Sequence, residues 1–165
     1  MKSILFFILY VIPFWIHAQV PSLKLNISDL KCKNKSISFL CTITNDSAIG
    51  LSVFTPIIDN VCVQIFGIYM TDIKSKRKYD IFPCTVIPDL RYINADTSNC
   101  AFIKRNGDFE KTLEIPKIDL AFLIPNRLYE LSLIYKYPVY TSVKTEMPNM
   151  YIGEISSNKL RFVYK

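Results

Sequence analysis

The side chains able to do chemistry in this 165-residue chain are acids, thiols, amines and phenols, because its one histidine is His17. Imidazole is the group that most often moves protons near neutral pH. His17 lies in a leader-like segment expected to be removed. Its loss takes away nucleophile–histidine pairs and His-containing zinc sites. Three carboxylates, Asp108, Glu110 and Glu114, gather around one hairpin. Two carboxylates facing each other across a cleft, about 5 to 10 Å apart, can cleave a glycosidic bond. Beside Lys104, Arg105 and Lys111, however, these three read as the solvated side of a turn with local ion pairs. A carboxylate-only hydrolase is therefore the least favoured function.

The thiols are Cys32, Cys41, Cys62, Cys84 and Cys100. An exported chain meets oxidising conditions, so bridges are allowed, and an odd number leaves at least one thiol over. There is no C-x-x-C, which removes the zinc-ribbon and redox-pair readings. Cys41 sits among Ile37, Phe39 and Ile43 at period two and is expected to be a small buried apolar residue. Cys84 and Cys100 lie in turn-rich sequence. A bridge between them is the expected pairing, worth about 3 kcal/mol from loop entropy. Spacing alone leaves the other connectivities open.

No contiguous calcium loop and no glycine-rich phosphate cradle can be drawn, so no cofactor is expected. The amines form two groups, Lys31, Lys33 and Lys35 at the end of a first strand and Lys74, Lys76, Arg77 and Lys78 at a hairpin tip. They suit an acidic polymer or anionic surface. They equally suit a solvated turn and a lysine-guarded edge strand. Nucleic acid is not an expected partner, since the aromatic residues are not interleaved with these lysines. Among the phenols, Tyr135 and Tyr137 alternate with Leu131 and Leu133 and belong to a core. Tyr140 and Tyr151 flank a proline-bounded connection and are the candidate binding residues. Asn26, Asn34 and Asn45 each begin an N-x-S sequence.

The elements that must carry these groups are strands. Residues 4–16 are an apolar run behind Lys2, too short for a span of about 20 residues. Residues 1–18 are expected to be a cleaved signal peptide, leaving no transmembrane segment in the mature chain. Residues 19–165 then form one domain. Alternation of apolar and polar residues recurs at 23–27, 36–44, 50–54, 109–115 and 127–137, with shorter runs between. Residues 61–70 are apolar on both faces, as in a central strand. Asn106-Gly107 predicts a hairpin turn, since both residues tolerate positive φ, and 117–123 a single helical turn between prolines. The pattern predicts an all-β chain, an antiparallel β-sandwich of eight to ten short strands.

The blocks LYELSLIY at 128–135 and GEISSNKLRF at 153–162 resemble the last two strands of bacterial secreted immunoglobulin-like domains. The resemblance implies an immunoglobulin-like sandwich with Tyr129 at the tyrosine-corner position, its hydroxyl bonded to backbone. Residues 37–80 (CTITNDS, then Val53-Phe54, then IYMTD) are similar to the opening strands of the bacterial intracellular proteinase inhibitor family. That resemblance implies a secreted protease inhibitor with its reactive loop within 83–99. The reading favoured over it is an exported, non-catalytic binding module, periplasmic, at the cell surface or secreted, with a protein or glycan partner.

Overall fold

The computed structural model describes residues 22–33, 36–56, 65–82, 92–139 and 142–165. The leader, Asn34, Lys35, Cys62, Cys84, residues 83–91 of the expected inhibitory loop, and Tyr140 lie outside them. The described chain is all-β. Its strands are β1 (Leu23–Cys32), β2 (Ser36–Asn45), β3 (Leu51–Phe54), β4 (Phe66–Asp72), β5 (Lys78–Asp80), β6 (Tyr92–Ala95), β7 (Cys100–Ile103), β8 (Asp108–Pro116), β9 (Leu128–Lys136), β10 (Ser142–Thr145), β11 (Glu154–Ser156) and β12 (Leu160–Val163). A 3-10 turn at Lys117–Leu120 follows β8, inside the helical turn expected between the prolines.

Two larger sheets hold the core. One is β1–β2–β8, antiparallel throughout. The other runs β5–β4–β9, with β11 and then β12 on the far edge of β9. β3 and β7 form a short antiparallel ladder, and β6 and β10 a parallel one. Period-two alternation decides what is buried. Ile37, Phe39, Cys41 and Ile43 of β2 point inward, as do Leu23, Leu25 and Ile27 of β1. From the other sheet come Ile68 and Met70 of β4 and Tyr129, Leu131, Leu133 and Tyr135 of β9. All belong to one continuous cluster. Each such side chain contributes about 1.5–3 kcal/mol on leaving water, so a one-residue register slip, which turns a whole strand inside out, is strongly disfavoured.

Three features differ from the sequence expectation. Twelve strands are present among the described residues, because β10 and β11 have little local signal. β11 is held by its pairing with β9, and β10 by its parallel ladder with β6; neighbours override weak propensity. One ladder is parallel. The Asn106-Gly107 turn, where Asn106 takes positive φ at 53°, is not a hairpin, because β7 pairs with β3 and β8 with β2. Gly107 donates its N–H to the Lys104 carbonyl at 3.0 Å. Asparagine takes the left-handed positions of this glycine-poor chain again at Asn126 and Asn149.

Candidate functional site

The site is built from a buried carboxylate outward. Asp72 ends β4 on its inward face and is fully buried. One oxygen accepts the backbone N–H groups of Lys74 and Ser75 at 2.8 and 3.2 Å. The other accepts the Arg127 guanidinium at 2.7 Å. The Arg127 hydrogen bond, followed by the two backbone amides, pulls this carboxyl down to about 2 from an ordinary 3.8, against the opposing effect of burial. Asp72 therefore stays ionised and fixes the turn between β4 and β5. That turn presents Lys74, Lys76, Arg77 and Lys78, all exposed. Among the described residues none of these four makes an ion pair. The Arg77 guanidinium lies 5.1 Å from the Tyr79 ring and the Lys78 ammonium 3.7 Å from the Tyr69 ring, contacts that hold cations without cancelling their charge.

The second basic group lies at the same end. Lys31 and Lys33 are exposed at the β1–β2 turn, where Lys33 donates its N–H to Ser36. Ser36 is the register partner of Pro116, which places this turn beside Lys117. The Cys32 thiol lies close enough to Lys117 and Lys165 for both to oppose the upward push that burial gives it. Lys117 reaches the Lys165 carbonyl at 2.8 Å and lies over the Tyr164 ring. Tyr164 in turn accepts the Asn126 N–H and donates to Arg127. Ile73, in the β4–β5 turn, donates to Leu128 at 3.1 Å. Both tips, Lys117 and Lys165 thus share one end of the fold. The acids there are Asp29, Glu114, Asp119 and Glu130, the last paired with Lys159 and Arg161, besides Asp72, whose charge Arg127 balances.

An apolar crest crosses this end. Between Lys117 and Leu128 the chain anchors itself with Leu120 and Leu123, both buried, yet leaves Ile118 83% exposed, Phe122 43% and Ile124 44%. The cross-strand pair Leu128 and Val163 is 41% and 44% exposed beside it. The crest is fixed, not loose. Phe122 packs on Tyr79 with centroids 5.1 Å apart, and Ile124 donates its N–H to the buried Tyr129 hydroxyl at 2.9 Å.

The other sequence-predicted residues are placed as follows. Tyr151 is half-buried, its ring 5.9 Å from Tyr135, and its carbonyl accepts the Tyr135 hydroxyl at 3.4 Å. Burial raises its phenol. It is a packing residue away from the basic end, and its expected companion Tyr140 lies outside the described residues. Cys100 is a buried free thiol, pushed up to about 11 by burial and then by Asp96. Its expected partner Cys84 is likewise outside the description. Burial pushes the Cys41 thiol up to about 12. Asp108, Glu110 and Glu114 lie along the exposed face of β8 and accept hydroxyls of β2, Thr44 at 2.6 Å, Thr42 at 3.4 Å and Ser36, instead of the ion pairs expected. Asn45 is fully buried, its amide donating to the Ile49, Ile103 and Lys104 carbonyls and its oxygen accepting from Ser47. It is a structural tie, with its amide wholly engaged inside the fold.

Asn158 escaped the sequence reading. Its amide oxygen accepts the Ile27 N–H at 2.7 Å and its nitrogen donates to the Ile27 carbonyl at 2.9 Å. One side chain thereby pairs with the open edge of β1 as a strand would. It closes one end of an open cleft of about 490 Å³ between β1 and β11. The signal was the Ser157-Asn158 turn, in which Ser157 accepts the Leu133 N–H and bonds the Asn158 carbonyl.

No protein-family model matches the chain, and no curated protein matches it. Solved structures similar to it include β-glucosidase 3B from Thermotoga neapolitana in complex with glucose, at 13% identity and a TM-score of 0.42, covering 87% of this chain and 17% of that one. A β-glucosidase from Kluyveromyces marxianus is similar at 11% identity and a TM-score of 0.41, covering 88% of this chain and 15% of that one. A structural-genomics target, SoR45, is similar at 11% identity and a TM-score of 0.34, covering 87% and 84%. The chain spans less than a fifth of either enzyme's length. Among the described residues no helix is long and apolar enough to cross a membrane.

Proposed function

We propose that this chain is an exported, non-catalytic immunoglobulin-like β-sandwich that works by binding, and that its basic end meets a multivalent anion. Two things support the sandwich. β1, β2 and β8 stand where strands A, B and E would, and β4, β9 and β12 where C, F and G would. Tyr129 is fully buried at the start of β9 with its hydroxyl on the Ile124 backbone five residues upstream, the arrangement of a tyrosine corner. Export rests on the leader-like residues 1–18.

The observation that carries the binding reading is the meeting of Lys31, Lys33, Lys74, Lys76, Arg77, Lys78, Lys117 and Lys165 at one end, where few acids answer them. Charges so grouped repel one another and raise the local concentration of anions. The test is retention on immobilised heparin, a sulfated glycan, followed by salt elution. The parent should be retained, and Lys74→Gln/Lys76→Gln/Arg77→Gln/Lys78→Gln should elute at clearly lower salt. If the two elute together, or the parent flows through, this face does not bind anions.

A further inference from the structure

We infer that the anion this face meets is the headgroup surface of a lipid bilayer, into which the 117–128 crest inserts Ile118, Phe122 and Ile124. This deepens the reading above and rests on it. A soluble polyanion satisfies lysines but offers nothing to an isoleucine that is 83% exposed. The fold does not require that isoleucine, since Leu120 and Leu123 already anchor the connection. Connections between strands are ordinarily polar, and a group of exposed apolar side chains rimmed by polar ones marks an interaction surface. Here the rim is cationic. Lys117 precedes Ile118 in the chain, and Arg77 covers the Tyr79 ring that backs Phe122. Leu128 and Val163 widen the apolar area beside them.

Apolar side chains that sink into the headgroup–acyl boundary, flanked by lysines and arginines on long flexible stems, are what an anionic bilayer surface selects. The crest is also held rigid in advance, by the Tyr129–Ile124 hydrogen bond and the Phe122–Tyr79 stack. Little ordering entropy is then spent at contact. Ile49, Phe102, Val139 and Ile152 are exposed too, but they lie on other elements.

The experiment is co-sedimentation with vesicles of phosphatidylcholine alone and of phosphatidylcholine containing a quarter phosphatidylglycerol, at low and at high salt. Every protein is purified after export, with the expected leader removed, so the differences between vesicle types and between variants read this end of the fold. The parent should partition onto anionic vesicles at least ~10-fold more than onto neutral ones, as about 1 kcal/mol per basic residue near the surface implies, and salt should weaken it. Ile118→Ser/Phe122→Ser should lower partition onto anionic vesicles roughly 10-fold, by withdrawing apolar area from the interface, and should leave heparin elution unchanged. Ile118→Ser alone, at the most exposed position, should show part of the same loss in a chain whose fold is not at risk. Three results overturn the inference. One is equal binding to both vesicle types. Another is an Ile118→Ser/Phe122→Ser variant that partitions like the parent. The third is heparin retention without vesicle binding, which leaves the anion reading standing and points to a soluble polyanion. Binding to neither heparin nor vesicles removes both readings.

Discussion

Asn158→Ala removes two hydrogen bonds and almost nothing else. The side chain is exposed on its outer face, and its amide holds the Ile27 N–H and carbonyl at 2.7 and 2.9 Å. A single intramolecular hydrogen bond is worth about 0.5–1.5 kcal/mol net. Water can reach the vacated groups of a strand edge, so the pair should cost about 1.5 kcal/mol, toward the lower end of twice that range. With a urea dependence of about 1–3 kcal/mol per molar, the midpoint should fall by roughly 0.5–1.5 M. Asn158→Asp sharpens the test. An ionised carboxylate still accepts the Ile27 N–H but turns a second oxygen on the Ile27 carbonyl. A protonated one donates there and restores both bonds. The folded state thus favours the neutral acid and raises its pKa above the ~3.9 of an unfolded aspartate. A group raised on folding gives its full stabilisation below the unfolded pKa and loses it as pH rises through the folded one. The aspartate variant should therefore match the parent at pH 3 and fall to the alanine variant, or below it, at pH 7. Urea melts at both pH values decide. An alanine variant within the ~0.5 kcal/mol scatter of ordinary surface substitutions, or an aspartate variant with no pH dependence of its own, would refute the idea that Asn158 closes the β1 edge.

Tyr129→Phe keeps the buried ring and leaves the Ile124 N–H without its partner. It should cost about 1–2 kcal/mol in denaturant melts with the strand circular-dichroism signal intact, and a loss below ~0.5 kcal/mol would mean that the Tyr129 hydroxyl does not tie the crest. The Asp72 carboxyl is held at about 2 in the folded chain against 3.8 otherwise. Its stabilisation is present above the higher value and is lost as pH falls between the two. Asp72→Asn should flatten that acid limb of the stability curve, and an unchanged limb would mean that other groups set it. Alkylation at pH 8 should mark exposed Cys32 in the native protein and leave Cys41 and Cys100 unmarked until unfolding, since their thiols are buried and protonated. If Cys100 stays unmarked after unfolding without reductant, it is bridged, and a non-reducing peptide map shows whether to Cys84.

What could be read from the sequence was whatever repeats locally. β2 and β9 each bury one face, so their alternation marks both the strand and its inward residues. Cys41 as a small core residue and Tyr135 as core rather than binding platform follow from the same period. The 3-10 turn was legible because prolines bound it. β10 and β11 were not, for their pairing partners are far away in the chain. Asp72 could be read as a turn residue before Lys74, but nothing near it in the chain announces Arg127.

The basic end shows why a site can escape a sequence whose parts are all noticed. Both lysine clusters and the 117–123 turn were visible separately, and only strand direction joins them. β1 and β8 each run antiparallel to β2, so both finish at the end where β2 begins. β9 starts where the connection from β8 delivers it, and β4 and β12, both antiparallel to β9, must finish there as well. Four strands thus deliver Lys31–Lys33, Lys74–Lys78, Lys117 and Lys165 to one place, through parity alone. The same parity sends the ends of β2 and β9 to the opposite end, with Asn45 and Tyr137. These basic tips are gathered by direction of travel, and a single inverted strand would have scattered them.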